Sequence, residues 1–150
     1  MRVRIEGYDL PGRTFCGPNG EPYSDVRVGI QIRKNAEQLV PGDADTARWD
    51  LDIAAAKLPD GGLDFRGPAV HGKRGDRFIY LTWGNLDSAG HFHMFRRAKL
   101  MLNRIEPDLV RAASDDARDL LARVRLSDDN GTPRCARVDP LDIAWKVADT

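Results

Sequence analysis

Phe78-Ile79-Tyr80-Leu81-Thr82-Trp83 runs for six residues without a charge and is built from aromatic and β-branched side chains with a single leucine. No polar alternation divides it into two faces, as a strand covered on both sides requires, so it is expected to be the central strand of a sheet. Immediately before it lies Phe65-Arg66-Gly67-Pro68-Ala69-Val70-His71-Gly72-Lys73-Arg74-Gly75-Asp76-Arg77, a basic loop with closely spaced glycines. Loops held by a rigid scaffold are where binding groups concentrate, and glycine lets a ligand approach the backbone.

Outward from this stretch the period is 2. Val3 and Ile5 alternate with Arg2, Arg4 and Glu6; Val26, Val28, Ile30 and Ile32 alternate with Arg27, Gly29, Gln31 and Arg33; Trp49, Leu51 and Ile53 alternate with Arg48, Asp50 and Asp52. Each pattern predicts a strand with one buried face. Asp9 to Pro22 holds three prolines and three glycines and reads as a long loop, whereas Pro59-Asp60-Gly61-Gly62 reads as the turn of a hairpin that returns through Leu63 and Phe65.

Downstream, Met94, Phe95, Ala98, Met101, Leu102 and Ile105 recur at intervals of one, three and four, with Arg96, Arg97, Lys99 and Arg104 between them. That spacing predicts an amphipathic helix. Pro107 suits the first turn of a second short helix through Ala113, because its missing amide would have no partner there in any case. Ala122, Val124 and Leu126 resume strand alternation, Asp128-Asp129-Asn130-Gly131 is a hairpin turn with a return strand at 134–138, and Ile143, Trp145 and Val147 suggest a closing strand. The expected architecture is one domain over residues 1–150. It is β-rich, a mainly antiparallel sandwich or partly open barrel, with one or two helices at about residues 95–113. Trp49, Trp83 and Trp145 fall in strands and read as core.

Composition narrows the function classes. Apolar residues make up 41% and charged residues 31%, and 23 Lys plus Arg balance 23 Asp plus Glu, so neither a disordered chain nor a transmembrane span is expected. The N-terminus lacks the apolar core of a signal peptide, and two cysteines, Cys16 and Cys135, make no disulfide framework. A cytoplasmic protein is expected. Charge is unevenly spread: residues 1–34, 35–64, 66–104 and 105–150 balance at +2, −5, +6 and −3. The basic middle attracts anions if its side chains converge, or is neutralised by the acidic segment before it. Nucleic-acid modules are missing and the overall charge is zero, so no nucleic-acid partner is expected, nor a membrane.

The candidate binding residues are Arg66, Lys73, Arg74, Arg77, Arg96 and Arg97, whose charged forks suit phosphate or carboxylate. The glycine spacing matches neither a Walker loop nor a dinucleotide fingerprint, so no cofactor is expected. His71, His91 and His93 would bind one metal only if their loops met, and no metal site is expected. His71 with Asp76 is the candidate acid–base pair.

The blocks Phe65 to Pro68, His71 to Gly84 and Met94 to Leu102, with Leu39-Val40-Pro41-Gly42-Asp43 and Gly131-Thr132-Pro133-Arg134-Cys135-Ala136, resemble an uncharacterised, mainly actinobacterial family of unknown function over nearly the whole chain. The resemblance implies a small stand-alone bacterial domain and carries no activity. A weaker likeness to C2-type β-sandwiches rests on Asp9-Leu10-Pro11 and Ser24-Asp25-Val26-Arg27-Val28, without the repeated aspartate loops of a calcium-binding member. The expected function is that of a small accessory protein binding an anionic small molecule or an acidic partner surface. The alternatives are a cyclase, isomerase or hydrolase acting on a carboxylated or phosphorylated metabolite through His71, and an interaction domain working as an oligomer.

Overall fold

The computed structural model describes residues 1–10, 15–16, 22–23, 25–34, 36–126 and 143–148, with the backbone alone at 15, 16, 22, 23, 95 and 96. Two four-stranded sheets carry the fold. In the first, β1 (Arg2–Tyr8) lies between β6 (Ala47–Asp52), antiparallel to it, and β11 (Leu120–Arg125), parallel to it; β12 (Ile143–Val147) adds to the outside of β11. In the second, β9 (Phe78–Leu86) lies between β10 (Phe92–Met101) and β4 (Val26–Arg33), with β5 (Ala36–Pro41) beyond β4. Two short ladders complete the described strands: β2 (Phe15–Cys16) with β3 (Pro22–Tyr23), within and at the end of the loop read from Asp9 to Pro22, and β7 (Ala54–Lys57) with β8 (Leu63–Arg66).

Period-2 alternation makes the two large sheets a sandwich. Val3, Ile5, Trp49, Leu51, Ala122 and Val124 from one sheet share a buried cluster with Val28, Ile30, Ile79, Leu81, Trp83 and Leu100 from the other. Both buried indoles find acceptors: Trp49 Nε1 donates to the Gln38 carbonyl at 3.0 Å and Trp83 Nε1 to the Leu126 carbonyl at 3.1 Å. Each bond reaches from one sheet to the other's strand or strand end. As expected from its uncharged sequence, β9 is an inner strand.

Two expectations need correction. Residues 95–101 are strand, not helix. Arg97 and Lys99 face solvent while Leu100 is fully buried, and a bulge between Met94 and Arg96 resets the register against β9. That extra residue breaks the alternation, and the broken pattern imitates a helical period. Helix begins with a 3₁₀ turn at Leu102–Arg104 and continues as α1 (Pro107–Asp115), which does start at Pro107. The Pro59–Gly62 turn does head a hairpin, closed by Leu58 N–H to the Gly62 carbonyl at 2.9 Å, but the arm opposite Leu63–Arg66 is β7. The strand from Trp49 pairs instead with β1 and ends where the Ile53 N–H meets the Met1 carbonyl at 2.9 Å. The 128–131 turn, the return strand at 134–138 and Cys135 lie outside the described residues.

Candidate functional site

The basic loop is drawn shut at its neck. His71 and Phe78 exchange backbone hydrogen bonds at 2.8 and 3.0 Å, so residues 72–77 form a closed excursion at the entrance to β9. Within it the Asp76 N–H bonds the Lys73 carbonyl at 2.8 Å, and Gly75 at φ +88° supplies the left-handed third position of that turn. Arg74 sits at the tip, exposed, beside Gly75.

His71 serves the loop's position. Its Nε2 lies 2.9 Å from the Gln31 carbonyl, which can only accept, so Nε2 carries the proton and donates. The ring stacks on Phe78 at 6.0 Å and leans on Tyr80 at 5.3 Å. Asp76 is exposed on the loop and makes no contact with that ring among the described residues.

The six basic candidates divide into separate groups. Arg77 turns inward: Nε donates to Asp64 at 3.0 Å, Nη1 donates to the Gly72 carbonyl, and its backbone N–H reaches Asn103 Oδ1 at 2.8 Å. Asp64 is almost fully buried, and the bond from Arg77, before any other cause, holds its carboxyl below the usual aspartate range. Arg66 touches the same carboxylate at 3.5 Å while its side chain remains 72% exposed. Arg97 lies over the Tyr80 ring at 4.5 Å on the outer face of β10, next to Lys99 over Phe78 at 4.4 Å. Arg96 stands opposite Trp83 in the same strand. Lys73 and Arg74 are exposed and unpaired among the described residues.

Arg74 borders a cavity of about 290 Å³ between the β7–β8 turn, the basic loop and the 3₁₀ turn. Leu63, Phe65, Leu102 and Ile105 contribute apolar surface to it, while Asp60 and Arg74 are its charged residues. Asn103 fixes its walls, accepting from the Arg77 N–H and donating through Nδ2 to the Leu63 carbonyl at 3.3 Å. Sequence reasoning had the Asp60 turn and the Arg74 loop but not their meeting. Leu102, Asn103 and Ile105 lay hidden inside the misread helix. A second cavity, about 380 Å³ and lined by Met1, Arg2, Ser114 and Asp119 among others, has an ion pair in its wall, Arg2 on Asp119 at 3.1 Å.

The other histidines are remote from this site. His91, in the β9–β10 turn, and His93, at the start of β10, lie about 25 Å from His71 at the usual rise per strand residue. His93 Nε2 bonds Asp87 at 2.7 Å, and the His91 N–H bonds the same carboxylate at 2.9 Å. The His93 bond is the main reason the Asp87 carboxyl is held down at about 2. These side chains close a turn, and no three metal-ligating groups converge among the described residues.

Fold and cavity together define a β-sandwich with an apolar recess and a cation at its mouth, and no described helix is long and apolar enough to cross a membrane. The chain belongs to the family of unknown function DUF5990, whose model matches residues 1–148. No curated protein and no solved structure matches it.

Proposed function

We propose that this protein binds a small carboxylated molecule in the cavity beside the basic loop, with Arg74 as the anion-recognising group and the cytoplasm as its place of action. One observation carries the reading: an arginine without a counter-ion among the described residues borders an apolar recess of small-molecule size. Apolar walls with a few placed polar groups are the usual make-up of a ligand site. A guanidinium at such a mouth holds a carboxylate through two parallel N–H donors. Arg77 supports the site from behind, because its Nε and Nη1 donors are already taken by Asp64 and the Gly72 carbonyl.

His71 does not line the cavity, so the alternative of proton transfer by this imidazole finds no support there, and the reading is one of binding. A second reading, an acidic partner surface, is favoured by Arg97 and Lys99 held outward over aromatic rings. A thermal-shift screen with carboxylated and phosphorylated metabolites tests the first. A ligand of the folded state raises the melting temperature. A carboxylate-dependent rise that vanishes in Arg74→Ala is expected; a rise that survives this substitution would move the anion site elsewhere.

A further inference from the structure

The recess carries a second charge. Asp60, at the tip of the β7–β8 turn, lines the same cavity as Arg74 and is exposed. Its Oδ1 accepts the Gly62 N–H at 2.9 Å, which fixes the carboxylate, and no described side chain forms an ion pair with it. The nearest candidate on α1 is engaged: Arg111 bonds Asp108 at 3.2 Å and reaches the Gly61 carbonyl at 3.5 Å. Asp60 and Arg74 are not paired with each other either. The cavity therefore brings together a carboxylate and a guanidinium that have no ion-pair partner among the described residues, and the rest of its lining is largely apolar.

A simple anion would meet Arg74 favourably and Asp60 unfavourably, a dianionic phosphate still more so. An amine alone would meet the reverse. We propose that the ligand is a zwitterion with an apolar body, an α-amino acid of the leucine or phenylalanine type, its carboxylate on Arg74 and its ammonium on Asp60. The size agrees: at about 30 Å³ for each water-sized unit, a cavity of about 290 Å³ takes roughly ten heavy atoms. The inference rests on the carboxylate site proposed above and adds the second recognition group and the ligand class.

Calorimetric titration of the intact protein with L-phenylalanine and L-leucine tests it, set against 3-phenylpropanoate and 4-methylpentanoate, which lack the amine, and 2-phenylethylamine, which lacks the carboxylate. An amino acid is expected to bind at least tenfold more tightly than either one-ended analogue. Asp60→Asn keeps an acceptor for the Gly62 N–H and is expected to bring the amino acid down to the level of the bare acid. Arg74→Gln is expected to abolish both. Equal or tighter binding of 3-phenylpropanoate, or undiminished phenylalanine binding by Asp60→Asn, would overturn the zwitterion while leaving the carboxylate site standing. Binding of no compound, or binding indifferent to Arg74, would overturn both. Unchanged melting of the two variants without ligand identifies any loss as local.

Discussion

Gly72 and Gly75 share a left-handed backbone, φ +87° and +88°, yet their surroundings differ. A methyl group at Gly75 would meet nothing within 4 Å, whereas at Gly72 it would run into the Asp76 carbonyl oxygen and the Phe78 ring. Gly75→Ala is expected to cost about 1–2 kcal/mol, the backbone term alone. Gly72→Ala should cost clearly more, and urea unfolding of the two variants side by side measures the difference. Asp87 gives a pH prediction. Its carboxyl titrates at about 2, below the ordinary value near 3.9. Its contribution to stability is therefore complete above about pH 4 and is lost as the pH falls towards 2. Asp87→Asn should lower stability at pH 6 and flatten the acid limb of the stability curve between those limits. An unchanged acid limb would remove the His93 bond from the account.

At the scale of elements, β10 separates two readings of one segment. A helical stripe through Ala98, Met101, Leu102 and Ile105 would leave Leu100 on the polar side, whereas the strand buries Leu100 completely and leaves Met101 partly exposed. Leu100→Ala should cost about 2–5 kcal/mol. Met101→Ala should cost about 1 kcal/mol, a typical value for point changes. The reverse ranking would restore the helix. Most strands were legible because one face of each is buried and the side-chain period shows it directly, as in Val26 to Ile32. β10 was not, because its register against β9 depends on a bulge, and a bulge is a relation between two strands that neither sequence displays alone. The recess was half legible for the same reason: Asp60 and Arg74 each stood in a recognisable turn, but their proximity arises from hairpin and loop packing against the 3₁₀ turn.

Across the whole molecule, charge is only partly matched between segments. Asp64, from the acidic segment, takes Arg77 and Arg66 from the basic one, while Asp50 spends itself on Arg4 and Arg48 within its own sheet. Among the described side chains the segment's remaining positive charge, Lys73, Arg74, Arg97, Lys99 and Arg104, is left at the surface. Arg77→Met strands the Asp64 carboxylate in a buried place, and removing one member of such a pair is more damaging than replacing both. A lower melting temperature is expected for Arg77→Met, with recovery in the double variant that adds Asp64→Asn.

The position of β1 bears on how the chain is made. Residues 2–8 leave the ribosome long before residues 120–125, yet one flank is covered by residues 47–52 and the other only by residues 120–125. The second sheet, with all its strands between residues 26 and 101, can assemble while β11 is still being synthesised. Throughout that interval β1 presents a row of unsatisfied amides and carbonyls along one side, an invitation to pair with a neighbouring nascent chain. The interval before residues 120–125 emerge is thus the window in which this protein depends most on being kept apart from its own copies.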